Sequence, residues 1–220
     1  MTDCTVRAEG VWVAYDGEPA LRGVSFVAEP GTMLAVTGPS GAGKSSLLWT
    51  LCGAQRPSRG AVHVGPDAIS GRHQAARLGV ALVPQGNGLA TMLSAVENIV
   101  VPLLAAGVPA AEAVTRAESA LEATGLGESG HHLIEELSGG QQQRVAVARA
   151  LAQGARVILA DEPTSDVDAV NRERLVALLR AEAQRGAVVI MSTHDPEAAD
   201  AADGEIALHE GEMTLVRPAT

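Results

Sequence analysis

The chain has 220 residues, of which 46% are hydrophobic and 19% charged, with a formal net charge of −10. That composition builds a packed core and excludes a disordered chain, and the length fits one domain or one domain with a modest grafted lobe. The acidic balance argues against a general nucleic-acid binder, which needs many basic phosphate contacts. Trp12, Trp49, Tyr15 and Phe26 are the only aromatics, so the core must be aliphatic. Asp3 and Glu9 interrupt the start, and no secretory leader is expected. Cys4 and Cys52 show no metal or redox spacing and read as reduced packing residues.

Val11–Val13 and Val24–Val27 read as short strands flanking the turn Asp16-Gly17-Glu18-Pro19. Met33–Thr37 is an apolar strand running into glycine-rich sequence, and Lys44–Cys52 reads as a helix. Ala81–Val83 is a short buried strand closed by Pro84. From Leu89 the texture turns helical: Val114, Ala117, Ala120 and Leu121 recur at helix period among Glu112, Arg116, Glu118 and Glu122. The stretch 88–136 is expected to be an inserted helical lobe, with 1–87 and 137–220 forming the core of one domain. Ile99–Ala106 is the most apolar run and falls far short of the ~20 residues that span a bilayer, so the protein is expected to be cytosolic. Ser138 opens a helix to about Gln153, Val157–Ala160 is a buried strand, Asp168–Gln184 a helix and Ala187–Ser192 another buried strand. Strands alternating with helices predict an α/β fold with a mostly parallel sheet, whose ligands sit beyond the carboxyl ends of the strands.

Three strand ends and helix starts carry the chemistry. Gly38-Pro39-Ser40-Gly41-Ala42-Gly43-Lys44-Ser45 fits GxxxxGK[ST] between a predicted strand and a predicted helix. The glycines let the backbone turn successive N–H groups toward phosphate oxygens, and the helix adds its positive end. Lys44, the only lysine, would contact the β- and γ-phosphates, and the Ser45 hydroxyl would ligate Mg²⁺. Val157–Ala160 then ends in Asp161-Glu162, two acids where ionised groups are costly to bury. Mg²⁺ supplies a reason for Asp161, and Glu162 stands one residue on, placed to polarise a water aimed at the γ-phosphate. Ser138-Gly139-Gly140-Gln141 makes a second capped, bare helix start. One phosphate chain hardly needs two such cradles on one molecule, so a site shared between two molecules follows.

With these residues in view, the chain resembles the nucleotide-binding subunit of an ABC transporter. Gly38–Ser45 is similar to that family's Walker A, Gln85 in Val-Pro-Gln to its Q-loop, and Leu137–Gln141 to its signature. Val157–Glu162 is similar to Walker B, Ser165-Asp166-Val167-Asp168 to the D-loop, and His194 to the switch histidine. Tyr15 matches the aromatic that stacks on adenine. Within the family, Val96-Glu97-Asn98-Ile99 and Pro102–Val108 resemble the lipoprotein-releasing and macrolide-export branch. The D-loop departs from the family by reading Asp166-Val167 where Ala-Leu is commoner.

The resemblance implies a P-loop NTPase with a mostly parallel core sheet, an antiparallel β subdomain and an inserted helical subdomain. It implies ATP and Mg²⁺ as cofactors, with Glu162, His194, Lys44 and Gln85 catalytic. Tyr15, Gly38–Ser45 and Ser46 would bind nucleotide, and Ser45, Gln85 and Asp161 the metal. Ser138–Gln141 would act across a homodimer, with Ser165 and Asp168 in the D-loop beside it. Partners would be a second copy and a separate membrane permease, with no nucleic acid, and the subunit would sit on the inner face of the membrane through that permease. The branch leans toward export or lipoprotein and lipid handling. The rival readings are a ribosome or DNA ATPase, which the single ATPase copy and the acidic charge disfavour, and a cell-division type scaffold that uses ATP only to dimerise. His63, His73, His131, His132 and His209 read as surface or loop residues, and Trp12 and Trp49 as packing residues.

Overall fold

Alternating apolar residues at the start of the chain fold as a hairpin longer than its valine centres suggest. In the computed structural model, which describes residues 3–219, strand β1 spans Val6–Tyr15 and β2 spans Glu18–Ala28. Asp16 and Gly17 connect them with φ of 50° and 90°. Two positive φ angles make the turn whose twist matches paired strands, and Asp-Gly is a favoured dipeptide for it. Val6 and Ala8, then Val11 and Val13, face inward at the period of a half-buried strand, with the alternation shifted by one residue at the irregularity around Glu9-Gly10.

Strand β3 (Met33–Thr37) leads into helix α1 (Lys44–Leu51). Then come β4 (Arg59–Val64), β5 (Asp67–Ala68), α2 (Arg72–Arg77) and β6 (Val80–Val83). Helices α3 (Ala95–Ala105), α4 (Ala110–Ala123) and α5 (Gly139–Ala152) follow, with two short 3₁₀ turns between the last two. Strand β7 (Val157–Asp161), α6 (Ala169–Gln184), β8 (Val188–Ser192), α7 (Pro196–Asp200), β9 (Gly204–His209) and β10 (Glu212–Arg217) complete the order.

Two sheets result. One is antiparallel with strand order β2-β1-β4-β5; the other runs β10-β9-β3-β8-β7-β6, with only β10 antiparallel to its neighbour. The central strands read as unbroken apolar runs because both faces are covered. Val157, Leu159, Val188 and Ile190 pack toward the antiparallel sheet and α1, while Ile158, Ala160, Val189 and Met191 pack toward α5 and α6. Ile99, Leu103, Leu121 and Ile134 form a third core. Helix α5 joins the second and third cores: Ala146, Val147 and Ala150 serve one, Val145, Ala148 and Ala152 the other.

The mostly parallel sheet, the antiparallel sheet and the helical run match the expected architecture. The sequence pattern marks no strand at β4, β5, β9 or β10. Strand β10 shows why: it is largely exposed, so backbone pairing with β9 forms it without a hydrophobic pattern. Among the described residues, no helix is long and apolar enough to cross a membrane.

Candidate functional site

The central sheet sets the site, because β3, β7 and β8 run parallel and end together. Beyond β3 the chain curls through Gly38–Gly43 before α1 begins. Gly43 caps that helix at φ 104°, and a Cβ there would stand 2.4 Å from the Ala20 carbonyl oxygen. Only glycine combines that backbone with that approach. Lys44, 9% exposed, folds back so that Nζ donates to the carbonyl oxygens of Gly38 (2.8 Å) and Pro39 (3.2 Å).

Strand β7 ends at Asp161, 1% exposed, and the next residue, Glu162, turns at φ 49°. Positive φ in a non-glycine residue costs on the order of 1–3 kcal/mol and persists where surroundings impose it. Ser192 at the end of β8 imposes it here. Its Oγ donates to Asp161 Oδ1 at 2.6 Å and accepts from the Glu162 N–H at 2.9 Å. Glu162 Oε1 lies 3.6 Å from Lys44 Nζ, and Oε2 lies 2.8 Å from His194 Nδ1. Asp161 Oδ2 is buried without a hydrogen-bond partner. A buried carboxylate oxygen left open suits a hard divalent ion.

Tyr15, Ser40, Gly41, Gly43, Lys44, Ser45, Ser46, Gln85, Glu162, Ser165 and His194 all line one open cleft of about 700 Å³. Asp161 and Ala42 lie buried beside it, and Gly38 and Pro39 present their carbonyls to Lys44. The cleft therefore joins residues from β1, the glycine loop, the segment after β6 and the ends of β7 and β8. It offers N–H groups, one ammonium, one carboxylate, an exposed ring and an imidazole around a common space.

Ser138, Gly139, Gly140, Gln141 and Asp168 are absent from that cleft and line a separate groove of about 390 Å³. Ser138 Oγ accepts from the Gln141 N–H (3.3 Å), and the Gln141 amide oxygen accepts from the Ser138 N–H (2.9 Å), a reciprocal cap. Asp168 caps α6 through Asn171, whose backbone N–H holds the Asp168 carboxyl below its ordinary value.

Sequence reading missed Ser192, although it precedes His194 on a predicted strand. It also missed two residues that hold the chain after Gln85. Arg149 donates to the carbonyl oxygens of Gly88 (2.8 Å) and Asn87 (3.1 Å), and buried Asn98 donates to Ala90 O (3.0 Å) while accepting from Ala90 N (2.8 Å). Asn98 was visible as a polar residue at an inward helix position. Nothing in the sequence marks the long-range reach of Arg149. The two cysteines are buried and unpaired, as expected. Among the described residues no group of three or more His, Cys, Asp or Glu side chains suits a metal ion.

Comparison with known proteins identifies the family and the fold. A family model described as ABC transporter matches residues 21–165. An uncharacterized ABC transporter ATP-binding protein of Thermotoga maritima is 41% identical over 212 residues, covering 92% of this chain and 91% of its own length. The lipoprotein-releasing system ATP-binding protein LolD of Maricaulis maris is 40% identical over 218 residues, 96% of this chain and 95% of its own. The macrolide export ATP-binding/permease protein MacB of an Azoarcus species is 41% identical over 198 residues, 88% of this chain but 30% of that longer protein. Among solved structures, the dimeric post-hydrolysis state of the ATP-binding cassette MJ0796, bound to ADP and Pi, superposes with a TM-score of 0.89 at 29% identity, covering 97% of this chain and 99% of its own. The chain therefore belongs to the ABC transporter family and is an ATPase domain of that family.

Proposed function

We propose that this domain hydrolyses ATP within a head-to-tail pair of copies and drives a membrane permease, in export or in lipoprotein and lipid handling. The observation that carries the reading is the separation of the two phosphate-directed surfaces. The cleft around Lys44 and the capped start of α5 lie apart on one molecule, so one triphosphate meets both only across a pair. The dimeric MJ0796 cassette and the LolD and MacB relatives support the pair and the membrane partner.

In this reading Tyr15 stacks on adenine, and the N–H groups of Gly38–Ser46 receive the phosphates. Lys44 leaves the Gly38 and Pro39 carbonyls for the β- and γ-phosphates, which also releases its hold on Glu162. Glu162 then accepts a proton from a water whose oxygen attacks the γ-phosphorus. The bond from phosphorus to the β,γ-bridging oxygen breaks, giving ADP and phosphate; such base assistance is worth about 10²–10⁴-fold. His194 holds Glu162 in place through Nδ1 and faces the γ-phosphate with the rest of its ring. Ser138–Gln141 of the second copy stabilise the transferring charge from the other side, with Ser165 and Asp168 in the adjoining loops.

Ser45, Gln85 and Asp161 fit Mg²⁺, since Asp161 brings an open buried oxygen and the other two bring neutral ones. A small protein ligand set suits an ion that keeps waters and phosphate oxygens as most of its shell. When bound, the ion neutralises phosphate charge.

We propose that 88–136 acts as a helical subdomain on a core of 1–87 and 137–220. The permease would rest beside Gln85 and this lobe, holding the domain on the inner membrane face. The test is Glu162→Gln with MgATP. Wild type should turn over with only a transient dimer, whereas the variant should lose turnover and accumulate a dimer by light scattering. A monomeric variant at micromolar protein and saturating ATP would overturn the reading.

A further inference from the structure

We propose that Asp166 is an electrostatic brake on closure of the ATP-bound pair, a charge placed beside the helix start that must receive the second copy's γ-phosphate. The inference rests on the head-to-tail reading above and assigns a determinant of how tightly that pair holds.

The placement is fixed by close packing. The loop after Glu162 lies directly against the start of α5 in the same chain: a Cβ on Gly140 would stand 2.5 Å from the Asp166 carbonyl oxygen. A Cβ on Gly139 would stand 4.0 Å from the Asp166 Cβ. The absence of side chains at both glycines thus lets a carboxylate-bearing residue come against the first turn of the helix. The first turn itself carries no acid, and its leading N–H groups have no intrahelical acceptor.

Two cations nearby, Arg144 and Arg174, could cancel the Asp166 charge, and neither does. Arg144 lies in the same groove, but its Nη1 donates to the carbonyl oxygens of Thr124 and Gly125, both at 3.1 Å, and its charge acts on Asp168. Arg174 contributes repulsion to Arg144 and forms no ion pair with Asp166. Asp168 is itself an acid, committed to capping α6. Among the described residues Asp166 takes part in no ion pair, and it is exposed. A full negative charge therefore stands at the anion-receiving end of α5.

Alone, that charge is favourable to the helix, because acids near an N-terminus complement its dipole. When a triphosphate from a second copy docks there, two anions compete for one positive pole. Each symmetric pair contains two such grooves, so the opposition counts twice. The residue therefore weakens the closed pair without touching ATP in the first copy's cleft, and it keeps the loaded pair ready to reopen.

The experiment measures dimer dissociation constants by analytical ultracentrifugation with MgATP in a Glu162→Gln background. Adding Asp166→Asn should tighten the dimer about tenfold at low salt, because two screened anion–anion contacts are removed. In about 1 M salt, where the Debye length is ~3 Å, the gain should shrink to about twofold or less. Asp166→Glu, which keeps the charge, should stay within about twofold of the parent. ATP affinity measured well below the dimer constant should be the same for all three. A dimer unchanged or weakened by Asp166→Asn, or a gain that salt does not diminish, overturns the brake while leaving the head-to-tail pair standing. If no variant dimerises with ATP at all, the pair and the brake fall together.

Discussion

Lys44 and Glu162 hold each other's attention in the nucleotide-free cleft, and that contact explains how one side chain serves two states. A lone ammonium at 9% exposure needs acceptors; the Gly38 and Pro39 carbonyls provide them, and Glu162 Oε1 adds an opposite charge at 3.6 Å. In the proposed reading, triphosphate oxygens, stronger acceptors than carbonyls, draw the ammonium away. Lys44→Ala should cut ATP turnover by about 10²–10³-fold, the usual cost of removing one charge-stabilising donor. Its fold should be retained by circular dichroism, because water can reach the lost carbonyl partners through the open cleft and Glu162, which also lines it, keeps its contact with His194; full turnover in that variant would refute the loop's role. Tyr15 belongs at the same scale. Its ring is 39% exposed at the rim of the cleft, and a ring face accepts any purine. Tyr15→Ala should weaken ATP binding several-fold, and GTP should compete with ATP on the wild type in an equilibrium binding assay.

At the scale of elements, helix starts organise the molecule. Helix α3 begins with Ser94, whose Oγ accepts from the Glu97 N–H at 3.3 Å while the Glu97 carboxylate accepts from the Ser94 N–H at 2.8 Å. Ser94→Ala should cost about 1 kcal/mol in chemical denaturation, the usual price of losing such a cap. The pH dependence follows from the same contact. Backbone and hydroxyl donation from Ser94 hold the Glu97 carboxyl below its ordinary value of 4.5. A depressed carboxyl stabilises the fold fully above the unfolded value and loses that contribution as pH falls through the folded one. The protection factors of amides at the start of α3, with the intrinsic pH dependence of exchange divided out, should therefore fall below about pH 4.5 in the wild type, and Glu97→Gln should flatten that dependence. These elements also mark what the sequence makes legible. Helix α5 and strands β3, β7 and β8 follow from their own residues, because caps and unbroken apolar runs are local signals. The Ser192 bridge between Asp161 and Glu162, and the grip of Arg149 on Gly88, are not legible: both partners of each contact lie far apart in sequence and have ordinary composition.

For the whole molecule, three cores meet on two shared elements, and this decides how ligand binding reaches stability. The central sheet carries the first core on one face and the second on the other, and α5 carries the second and third. The cleft sits at the ends of that sheet and the groove around Ser138 at the start of that helix, so each surface rests on an element common to two cores. Ligand at either surface should then raise the melting temperature of one cooperative unit. ATP at a hundred times its dissociation constant supplies about 2.7 kcal/mol by mass action, which for a chain of this size is about 5–10 °C. In Glu162→Gln the same ligand also binds a second copy, so the MgATP melting temperature should rise with protein concentration across the micromolar range. Adding Ser138→Arg places a bulky cation at the start of α5, which should remove the concentration dependence and leave the shift from ATP itself. Differential scanning calorimetry at several protein concentrations separates the two. A shift that is the same at every concentration in Glu162→Gln would mean that ATP stabilises one molecule only, and that the groove at Ser138 receives no phosphate from a second.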